Sequence, residues 1–201
     1  MERVGVFGGT FDPVHVAHLV VAANARHALR LDRVLLVVAN QPWQKAARPV
    51  TPAEDRFAMV AAAVEGRDGL EASRLEIDRG GVSFTADTLE ELATASGVAG
   101  GGGADRELFL VLGADVAAQL STWERLDTVR RLATVAVVDR PGARDPQLGP
   151  EWRVERVEIP RLEISASDLR RRAADGRPLD WLVPDPVIAY IRRRGLYTGG
   201  R

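Results

Sequence analysis

Short apolar runs alternate with amphipathic stretches along most of the chain. Arg3 to Phe7 is valine-rich and ends at Gly8-Gly9-Thr10, which predicts a buried strand running into a turn. Val16 to Leu31 carries alanine, valine and leucine at helical spacing, with Pro13 just upstream, and predicts a helix. Arg33 to Ala39 is apolar on both faces, as a parallel strand covered by helices would be. A strand–helix–strand unit of this length crosses over right-handed, which puts the Gly8 turn at the carboxyl edge of the sheet.

The pattern then repeats. Pro52 to Val64 reads as a helix with Pro52 at its first position, Glu54 and Asp55 near its positive end, and Thr51 and Glu54 at capping-box spacing. Leu70 to Ile77 alternates as a strand, Thr85 to Ala95 reads as a helix, and Glu107 to Leu112 as a buried strand ending at Gly113. Two further strands, Thr134 to Val138 and Arg153 to Ile159, precede two closing helices, Ser165 to Ala174 and Pro186 to Arg194. This order predicts an α/β fold with a doubly wound parallel sheet. Gly97 to Asp105, which contains Gly100 to Gly103, reads as a connector and not as a ligand loop, because no strand feeds directly into it. There is no internal repeat. The 201 residues fit one domain, 1–201, with a small helical C-terminal part from about 165 packed on the sheet.

Composition narrows the function classes. The chain has no cysteine, which excludes disulfides, thiol redox chemistry, iron–sulfur clusters and cysteine-ligated zinc. Its 27 basic and 28 acidic residues give a net charge of -1, which argues against bulk electrostatic binding to nucleic acid or membrane. No apolar run approaches a membrane span, and the first residues do not read as a signal peptide. The expectation is a soluble cytoplasmic protein.

The most informative segment follows the first strand: Gly8-Gly9-Thr10-Phe11-Asp12-Pro13-Val14-His15-Val16-Ala17-His18. Glycines let a backbone approach phosphate closely, and the helix that follows points its positive end at the same place. His15 and His18 are three apart, so both rings can face one point and hydrogen-bond phosphate oxygens, and a protonated ring would add charge where negative charge builds up. Zinc binding is a rival for any His-x-x-His, but only His27 remains as a third histidine. The turn lacks both the G-x-G-x-x-G and the Walker patterns. Two solvated histidines at the start of a helix are the plain alternative, which leaves the double glycine and the proline unexplained. At the far end, Ile164-Ser165-Ala166-Ser167-Asp168-Leu169-Arg170 places Ser165 and Asp168 at capping-box spacing and Ser167 at a helix N-terminus, an anion site that arginine would complete. A capped helix with solvated arginines is its plain alternative.

G-x-F-x-P-x-H-x-x-H resembles the signature of the nucleotidylyltransferase superfamily, Rossmann-like enzymes that move a nucleotidyl group from a triphosphate; Ala17 stands where many members have glycine. The Ser165 segment resembles that superfamily's I-S-[ST]-x-x-[IL]-R motif, with Ala166 in the [ST] position. From Val4 to about Tyr197 the chain resembles bacterial nicotinate-nucleotide adenylyltransferase. Segments 37–45, 83–89, 112–115, 122–123 and 140–142 carry that likeness in order.

The resemblance implies adenylyl transfer from ATP to nicotinate mononucleotide, giving deamido-NAD and pyrophosphate, with magnesium bound through phosphate. It implies His18, His15 and Lys45 as catalytic residues. Gly8, Gly9, Thr10, Phe11, Gly113, Asp115, Ser167 and Arg170 would bind ATP. Asn40, Thr85, Trp123 and Arg140 would bind the nicotinate nucleotide. Taken singly, Thr85 could cap its helix, Trp123 could be a packing aromatic, Asp115 a first-turn acid and Arg140 a turn residue. Rival readings are a nicotinamide mononucleotide or pantetheine-phosphate adenylyltransferase, and a nucleotide-sensing module without turnover. No protein metal site, nucleic-acid partner or membrane partner is expected, and a homo-oligomer is left open.

Overall fold

Six parallel strands form one sheet in the computed structural model, which describes residues 1–42, 50–94, 106–139 and 148–198. The strands are β1 (Glu2–Gly9), β2 (Arg33–Val38), β3 (Leu70–Ser73), β4 (Arg106–Gly113), β5 (Ala133–Asp139) and β6 (Val154–Glu158). Their order is β3-β2-β1-β4-β5-β6, the doubly wound Rossmann arrangement, in which the crossover direction reverses between β1 and β4. Val4 lies opposite Arg33 of β2 on one side and Leu108 of β4 on the other. The two central strands are therefore paired along both edges.

Side chains alternate between two cores, as the pleat requires. Phe7, Leu36, Phe109 and Val111 face one core with α1 (Val16–Ala28) and α2 (Ala53–Val64). Val4, Val6, Leu35, Val37, Leu110 and Leu112 face the other, with α4 (Thr85–Thr94) and α6 (Leu126–Leu132). Helices thus cover both faces, which is why these strands read as continuous apolar runs. The closing helices α7 (Ala166–Ala174) and α8 (Asp185–Arg194) put Leu169, Val187, Ile188 and Ile191 into the first core. At Gly5 a Cβ would stand 2.9 Å from both Leu31 Cδ1 and Val34 Cγ2, so this strand glycine is a close-packing requirement.

Several local expectations are corrected. Leu70 to Ile77 is not one strand: pairing with β2 ends at Ser73, opposite Val37, and α3 (Leu75–Arg79) follows. An edge strand whose neighbour has ended has nothing to pair with. The segment after Gly113 holds α5 (Ala114–Ala117), a 3-10 turn (Leu120–Thr122) and α6, none of which the apolar pattern announced. The first helix stops at Ala28, not Leu31, and Arg30 takes a positive φ of 50°. The Thr51–Glu54 capping box does not form. Pro52 is the N-cap of α2 without a side-chain cap, and Glu54 instead pairs with Arg74 at 3.0 Å. Trp43, Lys45, Arg140 and the Gly100 to Gly103 stretch lie outside the described residues.

Candidate active site

The carboxyl ends of β1, β2 and β4 converge at the switch point of the sheet, where α/β proteins bind ligands. A cavity of about 330 Å³ opens there, lined by Gly8, Gly9 and Thr10 of the β1 turn, by Ser83 to Thr85 at the start of α4, and by Trp123. The two glycines of the turn serve different purposes. Gly8 is exposed, and a Cβ there would meet nothing within 4 Å, whereas a Cβ on Gly9 would stand 2.7 Å from the Phe11 ring. Phe11 is buried, with a positive φ of 48°, an uncommon conformation for a bulky residue. Its ring packs edge-on against His18 at a centroid distance of 5.0 Å. Phe11 therefore meets a ligand through its backbone at most; its side chain is a wedge beneath the histidines.

His15 is the N-cap of α1, and His18 is its third residue. Their rings stack at 3.7 Å with an interplanar angle of 28°. The His15 backbone N–H donates to His18 Nδ1 at 3.2 Å, which makes Nδ1 an acceptor and leaves the proton of the neutral ring on Nε2. His15 is 5% exposed, and burial pushes its pKa down to about 4. Its Nδ1 is buried without a hydrogen-bond partner among the described residues. The expectation of a protonated histidine is therefore modified for His15: it stands as a neutral imidazole at pH 7, and it contributes as a dipole and hydrogen-bonding group.

The C-terminal motif reaches the same turn. Ser165 caps α7, its Oγ accepting from the Asp168 N–H at 3.2 Å. The reciprocal half of the predicted box is replaced by ion pairs of Asp168 with Arg172 and, more weakly, Arg171, which hold its carboxyl below the usual range. Arg170 donates to the Asp12 carbonyl at 2.7 Å and to Ser167 Oγ at 3.3 Å. A hydrogen bond across 158 positions of sequence thus places the start of α7 beside the β1 turn.

Residues 6–172 match the cytidylyltransferase-like family. The chain is 43% identical over 204 residues to a protein of Acidothermus cellulolyticus described as "Probable nicotinate-nucleotide adenylyltransferase", covering 99% of this chain and 97% of that one. A relative of the same description from Salinispora arenicola is 44% identical, with 94% and 98% covered. The chain belongs to the nicotinate-nucleotide adenylyltransferase family. The fold of a Plasmodium falciparum nicotinic acid mononucleotide adenylyltransferase, solved in complex with NaAD, superposes on it with a TM-score of 0.77 at 18% identity, over 98% of both chains.

Within this adenylyltransferase fold, the structure brings together Gly8, Gly9, Thr10, Thr85 and Trp123 around one cavity, with His15, His18, Ser167 and Arg170 grouped about the same turn. Gly113 ends β4 and Asp115 lies in α5 just after it, at the same sheet edge, and neither lines the cavity. Asn40 does not line it either. Its Nδ2 donates to the Gly81 carbonyl and its backbone N–H to Ser83 Oγ, each at 2.9 Å, so it fastens the end of β2 to the segment before α4. Lys45 and Arg140 lie outside the described residues.

Three residues behind the turn escaped the sequence reading. Arg56 is 1% exposed and donates to the carbonyls of Thr51, Thr10, Ala39 and Asn40 at 2.7–3.0 Å. Burial lowers its pKa, and the negative charge of Asp12 opposes that. Asp12 is 5% exposed and accepts from Tyr197 Oη at 2.6 Å. Burial, then the bond to Asp12, raise the pKa of that phenol. The one available signal was the helical register of Arg56 with Met59, Val60 and Ala63 on the apolar face of α2.

Among the described residues no group of three or more histidine, aspartate or glutamate side chains could hold a metal ion. None of the described helices is long and apolar enough to cross a membrane.

Proposed function

We propose that this chain joins ATP to nicotinate mononucleotide in one domain, giving deamido-NAD and pyrophosphate. The observation that carries the reading is the shared cavity: the phosphate-approach turn Gly8 to Thr10 and the pair Thr85 and Trp123 line the same space. One end suits a phosphate and the other a flat ring bearing a carboxylate. Thr85 begins α4, whose N-terminal amides favour an anion, and Trp123 offers an aromatic face.

The acceptor phosphate attacks the α-phosphorus of ATP. A new phosphorus–oxygen bond forms as the bond to the β-phosphate oxygen breaks, and pyrophosphate leaves. The attacking phosphate oxygen already carries charge, so no protein nucleophile or general base is needed, and catalysis lies in alignment and charge stabilisation. His18 donates from Nε2 to the α-phosphate as charge moves onto it, and His15 supports it through the stacked pair. Gly8, Gly9, Thr10 and the Phe11 backbone lie along the triphosphate, with Gly113 and Asp115 toward the ATP ribose. Lys45, Ser167 and Arg170 neutralise the distal phosphates and the leaving group. Arg140 meets the acceptor phosphate, and Asn40 serves by holding the loop before α4. Magnesium would enter as part of the ATP substrate and would offset phosphate charge.

The test is pyrophosphate release with magnesium-ATP and three acceptors side by side: nicotinate mononucleotide, nicotinamide mononucleotide and phosphopantetheine. Turnover of nicotinate mononucleotide in preference to the others is expected. Preference for another acceptor would reassign the substrate, and ATP binding without turnover of any would favour a sensing role.

A further inference from the structure

Among the described residues, two ionisable side chains line the cavity, and both are acids: Glu76 and Glu124. Glu76 is 7% exposed, and Thr88 Oγ1 donates to its Oε1 at 2.7 Å. The cation in this network, Arg79, reaches the Thr88 hydroxyl and Glu91, each at 3.1 Å, so its charge is matched by Glu91. The rest of the lining is largely aliphatic and aromatic, with Val6, Val37, Leu110 and Trp123 among it. A carboxylate beside such a surface is costly to keep desolvated unless positive charge comes near it.

Beside these two acids, an acceptor ring that carries only negative charge is disfavoured. Nicotinate mononucleotide is different, because its ring is a pyridinium, with a fixed positive charge at the ring nitrogen and a carboxylate two atoms away. We infer that Glu76, with Glu124 at the rim, is a specificity-determining residue that selects the cationic ring, while the start of α4 takes the ring carboxylate. This rests on the acceptor assignment proposed above. The other contacts have matching signs. An indole face attracts a cation, and the N-terminus of the ten-residue α4 attracts an anion. The Trp123 Nε1 is buried without a partner among the described residues, as a group awaiting a ligand acceptor would be. The cavity is thus complementary to a zwitterionic ring and not to a neutral aromatic acid.

Two acceptors that differ in one ring atom test this. One is nicotinate mononucleotide; the other is 3-ribosylbenzoate 5′-phosphate, in which neutral carbon replaces the charged nitrogen. kcat/KM for pyrophosphate release is measured with both, on the unaltered chain and on Glu76→Gln, which keeps an oxygen to accept from Thr88. The unaltered chain is expected to favour the pyridinium by about tenfold or more, and Glu76→Gln to reduce that preference about tenfold. A purely structural role for Glu76 would lower both acceptors alike, and an unchanged ratio overturns the inference. Should Glu76→Gln not fold, the unaltered chain still decides, since equal use of the two acceptors overturns the inference as well. Glu124→Gln, at the exposed rim, is expected to shift the ratio the same way by about twofold, as solvent-screened charges do. Turnover of neither acceptor would remove the acceptor assignment itself, a result distinct from turnover without preference.

Discussion

At the residue scale the histidine pair divides its labour by burial. His18 has its Nδ1 engaged by the His15 backbone, so its donor side is committed to whatever lies beyond Nε2. His18→Ala is expected to lower kcat roughly 10²–10³-fold, the range for loss of one preorganised donor, with an unchanged circular-dichroism melt. A folded variant with full turnover would remove His18 from the chemistry. His15, with its pKa pushed down to about 4, makes a separate prediction. Its folded pKa lies below the unfolded value, so between roughly pH 6.5 and 4 the unfolded chain binds the extra proton. The stability that neutral His15 permits is thus present above about pH 6.5 and lost as pH falls through the folded pKa. The loss is on the order of 3 kcal/mol for one such group. Urea unfolding at pH 7 and pH 4.5 should show a smaller decline for His15→Gln than for the unaltered chain. Both histidines were legible from spacing alone. Their protonation was not, because it depends on what is packed against them.

Among the elements, Arg56 does the joining. One guanidinium ties the β1 turn at Thr10, the end of β2 at Ala39 and Asn40, and the approach to α2 at Thr51. Arg56→Met would strand four carbonyls and remove one of the two positive charges near buried Asp12, leaving Arg170 as the other. It is expected to cost about 3–5 kcal/mol, as the breaking of other buried charge networks does. Chemical denaturation checks the size, and Arg56→Lys should fall in between, having fewer donors. Such a residue carries no motif in a single sequence, since its partners are main-chain carbonyls. The same limit explains α3 and Asn40. Leu70 to Ile77 alternates acceptably for a strand, but the length of β2 decides where pairing stops. Asn40 sits in a recognisable motif, yet the approach of Gly81 and Ser83 gives its polar groups their partners.

For the whole molecule, the C-terminal part is joined to the phosphate turn. Arg170 on α7 bonds the Asp12 carbonyl, Tyr197 bonds the Asp12 carboxylate, and Tyr190 and Arg194 on α8 converge on Asp55 of α2 at 2.8 and 3.1 Å. The strand–helix alternation, the covered parallel sheet and the two motifs at opposite ends of the chain were all legible before any contact was known. Those follow from periodicity and from short-range chemistry, which the chain carries locally. It took the folded chain to reveal that Gly9 answers to the Phe11 ring, that His15 is neutral, that Arg56 and Asp12 underpin the turn, and that a buried glutamate lines the cavity. Apart from the local Gly9–Phe11 contact, those depend on contacts between segments tens to more than a hundred residues apart, and on the low dielectric that their packing creates.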